Sequence, residues 1–75
     1  MASEIYIFSA RRFHEMKLCT FAEMEQRAMT IAARRKELVS VSVLVAGDKN
    51  RKVGTYDEYG MTDIAMEEMI LTEGD

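Results

Sequence analysis

Cys19 and His14 are the two side chains that could form a nucleophilic pair, because an imidazole can activate a thiol. They are the only cysteine and the only histidine in the chain, so no mechanism that uses two imidazoles can operate. Cys19 also stands directly before the predicted start of a helix, where an apolar residue commonly packs against the first turn. We therefore predict that neither residue is catalytic and that the chain is not an enzyme.

A glycine-bounded stretch and a group of acidic residues are the other places where chemistry could occur. Residues 47–54 lack the Gly-Lys-Ser/Thr ending of a phosphate-binding loop and lie between two extended segments rather than before a helix. Asp57, Glu58 and Asp63 offer carboxylates, but their spacing does not match a calcium-binding loop. We expect neither a bound metal ion nor a cofactor.

Basic residues form three clusters in the sequence. The two later clusters would make one phosphate-binding patch if the end of a predicted helix and the tip of a predicted hairpin met at one edge. The residues of this patch are Arg34, Arg35, Lys36, Lys49, Arg51 and Lys52. The net charge of −3 and the lack of aromatic residues between the basic ones make nucleic-acid binding the weaker alternative.

The C-terminal part of the chain is acidic and rich in methionine. Residues 54–75 contain seven acidic and no basic residues, whereas residues 1–53 contain ten basic and six acidic residues. Such a segment either binds a basic partner or, more commonly, folds back on the basic part of its own chain. Methionine and aromatic residues anchor many interfaces, and surrounding charges steer the encounter. The predicted partner-binding residues are Tyr56, Asp57, Glu58, Tyr59, Met66, Glu67, Glu68 and Met69.

The best-defined element begins at Thr20. Thr20-Phe21-Ala22-Glu23 fits a capping box, in which the Thr hydroxyl and the Glu carboxylate each accept a backbone N–H of the other residue. Apolar residues then recur at spacings of three and four, namely Phe21, Met24, Ala28, Ile31, Ala32 and Leu38. This pattern predicts a helix over residues 20–37, with an ion pair between Glu23 and Arg27.

Extended patterns predict three strands. Residues 4–9 are a β-branched and aromatic run, and residues 39–46 alternate valine with serine. Residues 51–57 resume an extended pattern after the turn residues 47–50, which indicates a β-hairpin whose register stays open.

Two further segments are less well defined. Residues 10–18 fit both a helix and a strand, and a short helix capped by Ser9 is the preferred interpretation. Thr62 or Asp63 could cap a short C-terminal helix that carries Met66 and Met69.

These elements predict a single domain over residues 1–75 with an α+β fold. We expect a small two-layer sandwich, in which a three-stranded and mostly antiparallel sheet is packed by one long helix and one short C-terminal helix. The predicted strands are 4–9, 39–46 and 51–57, and the predicted long helix is 20–37.

Composition favours a protein of the cytoplasm that has no contact with a membrane. A single cysteine and seven methionines suit a reducing compartment, and the sequence shows neither a signal-peptide pattern nor a run of about 18 apolar residues. We predict a small non-catalytic protein-binding module, an inhibitor or adaptor of the type that bacteriophages often encode. Its partner would be a larger protein with a basic or grooved surface. A homodimer or larger homo-oligomer is the alternative, because exposed strand edges pair readily.

Overall fold

The structure, a computed structural model, describes residues 2–47 and 49–62. Their elements follow the order β1 (Glu4–Ala10), β2 (Phe13–Cys19), α1 (Phe21–Arg35), β3 (Val39–Val45), β4 (Lys49–Asp57) and β5 (Gly60–Met61). The strands form one antiparallel sheet in the order β2-β1-β3-β4-β5, and α1 packs on one face of it. We call the opposite side of the sheet the second face.

The predicted three-stranded sheet is wrong, because the sheet has five strands. Residues 13–19 form a strand rather than part of a short helix, after a two-residue turn in which Arg12 adopts the left-handed conformation, with φ 56°. Every residue of β1 then pairs with one of β2, from Ala10↔Phe13 to Glu4↔Cys19. The strand-like alternation of side chains in this segment prevails over its single helix-like spacing. Pairing with β1 satisfies backbone N–H and C=O groups of the strand.

The remaining fold predictions differ from the structure in smaller ways. A two-residue strand, β5, follows β4 through a tight turn and was not predicted. The predicted hairpin is present, and its register runs from Val39↔Tyr56 to Val45↔Lys49 with Val53 as an extra residue at a bulge. The predicted short C-terminal helix lies outside the described residues.

The predicted capping box is confirmed at the start of α1. The Thr20 hydroxyl accepts the Glu23 N–H at 3.2 Å, and a Glu23 carboxylate oxygen accepts the Thr20 N–H at 2.9 Å. The predicted ion pair between Glu23 and Arg27 is wrong, because Arg27 binds Glu15 of β2 at 2.7 Å instead. The helix ends at Arg35, before a left-handed residue.

The core lies between α1 and the three central strands. Its buried apolar residues are Tyr6, Phe8, Cys19, Met24, Ala28, Ile31, Ala32, Val39, Val41, Val43 and Tyr56. Two residues of the predicted apolar stripe, Phe21 and Leu38, are exposed instead. Phe21 is the first residue of α1 and Leu38 follows its end, so neither is held against the sheet.

Tyr56 brings one polar atom into this core. Its hydroxyl donates to the Glu25 carboxylate at 3.1 Å, while the residue itself is fully buried. Burial first, and the nearby carboxylate second, raise the pKa of Tyr56 far above its ordinary value of 10.0. Among the described residues, no helix has the length and apolar character that a membrane span requires.

Removing the cap should destabilise the protein. Thr20→Ala deletes the oxygen that accepts the Glu23 N–H, and we expect the free energy of unfolding to fall by about 0.5–2 kcal/mol in urea melts. Thr30→Ala is the matched control, because the Thr30 hydroxyl only contacts the Gln26 carbonyl on the exposed helix surface. If both variants have the same free energy of unfolding, the capping box does not define the start of α1.

The Tyr56 hydroxyl should make stability fall at alkaline pH. Because the folded-state pKa is raised, the stabilisation is complete below the unfolded pKa of about 10 and is lost as pH rises above it. We expect Tyr56→Phe to cost about 0.5–2 kcal/mol at pH 7. This difference from wild type should shrink by roughly 1 kcal/mol near pH 11. A difference that stays constant from pH 7 to pH 11 would show that Tyr56 ionises equally in both states.

Candidate functional site

The outer edge of β2 is a row of backbone groups that no strand in residues 2–47 and 49–62 pairs with. β2 stands last in the sheet, so its other side meets no strand of the described residues. Because Ala10 and Phe13 close a two-residue turn, they form a hydrogen-bonded pair, and every second pair along β1 and β2 does the same. The intervening residues His14, Met16 and Leu18 must therefore direct their N–H and C=O groups away from β1.

The same alternation can be checked at the opposite side of the sheet. Val39 and Tyr56 form the corresponding hydrogen-bonded pair between β3 and β4, which directs the groups of Thr55 outward. The Thr62 N–H indeed donates to the Thr55 carbonyl at 2.8 Å. The alternation therefore also holds at this end of the sheet.

Large apolar side chains accompany this row on the second face. Met16 lies beside Ile7, and Leu18 lies beside Ile5, because the two strands pair in that register. Exposure rises toward the edge, from 8% for Ile7 to 54% for Met16 and 68% for Leu18. Exposed apolar side chains next to unpaired backbone groups are typical of a surface that another strand can cover. We call residues 14–18 the β2 edge.

Opposite charges alternate on the helix side of the β2 edge. Glu15 accepts two hydrogen bonds from the Arg27 guanidinium, at 2.7 and 2.8 Å, and this contact lowers the pKa of Glu15. Lys17 is exposed and forms no ion pair with a described residue. A strand laid along β2 would therefore meet one negative and one positive side chain.

The other edge of the sheet is protected against such pairing. Within the described residues, β5 pairs with Tyr56 and Asp57 at the end of β4, and the Thr62 N–H extends this cover to Thr55. The rest of β4 carries a bulge and three exposed basic residues, Lys49, Arg51 and Lys52. Bulges and lysines are devices by which proteins prevent edge pairing, and β2 has an uninterrupted register and no proline.

The four predicted partner-binding residues that the structure describes do not share one exposed surface. Tyr56 is fully buried in the core and is not available as an anchor. Asp57 accepts the N–H groups of Tyr59 and Gly60 in the turn between β4 and β5, while Tyr59 and Glu58 are exposed there. The other predicted residues lie outside the described part, namely Met66, Glu67, Glu68 and Met69.

The predicted nucleic-acid patch is divided between the two ends of the sheet. Arg34, Arg35 and Lys36 lie at the end of α1, next to the start of β3, whereas Lys49, Arg51 and Lys52 lie at the far end of β3. The two groups are separated along β3 by six residues of extended chain, a distance of about 20 Å.

A different basic cluster forms instead at the end of α1. The Arg35 guanidinium donates to the Arg11 carbonyl and lies 4.9 Å from the centre of the Phe13 ring. Glu37 accepts both the Arg11 N–H, at 3.0 Å, and the Arg35 guanidinium, at 2.9 Å. We call this cluster the basic end; it comprises Arg11, Arg12, Arg34, Arg35 and Lys36.

Cys19 and His14 are not brought together. They lie five residues apart on one strand and on opposite faces of the sheet, because a strand alternates its side chains. His14 is exposed, whereas Cys19 is 4% exposed and its thiol pKa is raised, first of all by burial. Within residues 2–47 and 49–62, no group of three His, Cys, Asp or Glu side chains is arranged to hold a metal ion.

Sequence reasoning missed the β2 edge as a site. The alternation of His14, Met16 and Leu18 was the signal that could have indicated it. Comparisons of the chain with protein-family models, with curated proteins and with solved structures find no match. Function is therefore inferred from the geometry of the chain itself.

Cys19 should react slowly with a thiol reagent while the protein is folded. Burial limits both access to the sulfur and the thiolate fraction. At neutral pH we expect an aromatic disulfide reagent to label Cys19 fully only after denaturation. A matched chain with Cys19→Ala and Thr30→Cys presents an exposed helical thiol and should be labelled at once. Equally fast labelling of both native chains would contradict the packing of Cys19.

Proposed function

We propose that this chain is a small non-catalytic protein-binding module that adds an extended strand of its partner to β2. The observation that carries the proposal is the β2 edge, in which outward-facing backbone groups that no described strand pairs with accompany the exposed side chains of Met16 and Leu18. A partner strand would gain backbone hydrogen bonds from three outward-facing residues of β2. It would also cover apolar surface on the second face. Strand addition obtains its affinity from the main chain and its specificity from alternate side chains.

The acidic C-terminal part has a supporting role in this proposal. Glu58 and Tyr59 are exposed at the turn before β5, on the edge opposite β2. The Glu58 carboxylate therefore lies outside the rim of the β2 interface and acts on a larger protein with a basic surface only through long-range attraction, which salt screens. An inhibitor or adaptor would use such a surface to occupy a site on its target. A buried free thiol supports a reducing compartment such as the cytoplasm.

Nucleic-acid binding at the basic end is the second candidate. The structure brings Arg11 and Arg12 to the cluster at the end of α1, although the sequence separates them by more than twenty residues. Against this role, Glu37 already neutralises part of the charge of Arg35, and Arg35 covers the face of the one adjacent ring, Phe13. This candidate therefore ranks below strand addition.

A proline at position 16 should abolish partner binding and leave the fold intact. The Met16 N–H faces outward, so Met16→Pro removes a donor that β1 does not use, and proline is tolerated at such edge positions. We expect proteins captured from a native lysate by the wild-type chain to be lost with this variant. In the complex of the wild-type chain with a captured protein, hydrogen exchange at the amides of Met16 and Leu18 should be slower than in the free chain.

Asn50→Pro is the matched control, because Asn50 directs its N–H outward from the opposite edge. This variant should retain every partner, and both variants should melt close to wild type. Partners that survive Met16→Pro would contradict strand addition at β2. If the wild-type chain retains nucleic acid and a chain with Arg11→Gln and Arg12→Gln loses it, the basic end is favoured as the binding site instead.

A further inference from the structure

We infer that the strand added to β2 is β2 of a second copy of this chain, antiparallel and with Met16 opposite Met16 across a two-fold axis. This inference rests on the proposed function, because it assigns the partner of the same edge. It goes beyond that function by fixing a register and a symmetry.

The backbone limits the possible symmetric registers. Two copies of β2 that pair antiparallel must bring outward-facing residues opposite one another, and these are His14, Met16 and Leu18. Registers that keep most of the strand paired place the two-fold axis at residue 15, 16 or 17. With the axis at Met16, Met16 forms one hydrogen-bonded pair with Met16 of the second copy. His14 of each copy forms a further pair with Leu18 of the other copy.

The charges select one of these three registers. An axis at Glu15 places two carboxylates directly opposite each other, and an axis at Lys17 does the same with two ammonium groups. Only the axis at Met16 places Glu15 of each copy opposite Lys17 of the other. Opposite charges facing each other across strands stabilise the pair, and like charges destabilise it. The sequence Glu15-Met16-Lys17 is thus self-complementary around its central residue.

The side chains on the second face support the same register. Met16 would pack against Met16 of the second copy, and the two Leu18 side chains would each lie beside a His14 imidazole. This arrangement covers the two most exposed apolar residues of β2. A chain of this length has a thin core, so the added burial contributes more than it would in a larger domain.

Charge exchange tests the register in the full chain. Lys17→Glu alone should face Glu15 of the second copy, and Glu15→Lys alone should face Lys17. Each variant should therefore dimerise at least about five-fold more weakly than wild type in light scattering. A mixture of the two should restore a heterodimer, because every facing pair then has opposite charges. Weakening of both single variants supports the register, because an axis at residue 15 would spare Lys17→Glu and an axis at residue 17 would spare Glu15→Lys. Two variants that dimerise like wild type would overturn it.

A disulfide test avoids the Arg27 contact that Glu15→Lys removes. In a Cys19→Ala chain, Met16→Cys should form an intermolecular disulfide under mild oxidation, because residue 16 faces itself. Lys17→Cys is the matched control, and it should cross-link at least ten-fold more slowly, because residue 17 faces residue 15. Faster cross-linking at position 17 would overturn the register.

The results also separate this inference from the proposed function. The inference is overturned if the wild-type chain is monomeric at high micromolar concentration and the Cys19→Ala, Met16→Cys chain resists cross-linking. Strand addition at β2 then still stands if Met16→Pro loses a captured protein. If that variant also keeps every captured protein, the proposed function fails together with the inference.

Discussion

Within the described residues, one helix must cover a sheet that is wider than itself, and the rest of the described fold depends on this mismatch. An α-helix with its side chains is about 10 Å across, whereas five strands spaced by about 4.8 Å span about 19 Å. α1 therefore buries the helix-facing side chains of β1, β3 and β4, which supply Phe8, Val41 and Tyr56 to the core. The outer strands receive little cover, so charged residues can face the helix side of β2. Glu15 uses this position to bind Arg27 at the margin of α1.

Local signals were sufficient to predict the elements that form the middle of the fold. The capping box at Thr20 defines where α1 begins, because its hydrogen bonds connect residues only three apart. The alternating valines of β3 were equally clear, since one side of this strand is fully buried. Patterns of this kind depend on neighbours in the sequence, and the structure preserves them.

The parts that were not predicted depend on contacts far apart in the sequence. The middle of β2 has Met16 and Leu18 on the second face and Glu15 and Lys17 toward the helix, so its pattern does not indicate which side is buried. Tyr56 looked like a surface anchor because acidic residues follow it, yet the register with Val39 places it under α1. The basic patch failed to assemble for the same reason, since its two halves lie at opposite ends of β3. Sequence could name these residues but could not place them.

The two edges of the sheet also determine what kind of assembly strand pairing would produce. A chain with two permissive edges can add copies at both and grow into a fibre, whereas a chain with one can only close a pair. The basic residues and the bulge of β4 prevent pairing at that edge, and the short β5 covers its end. At β2, the alternation of Glu15 and Lys17 admits one symmetric register and penalises its neighbours. A dimer formed there would have used the one permissive edge of the described sheet, so the contact that joins two copies would also stop further growth through this sheet.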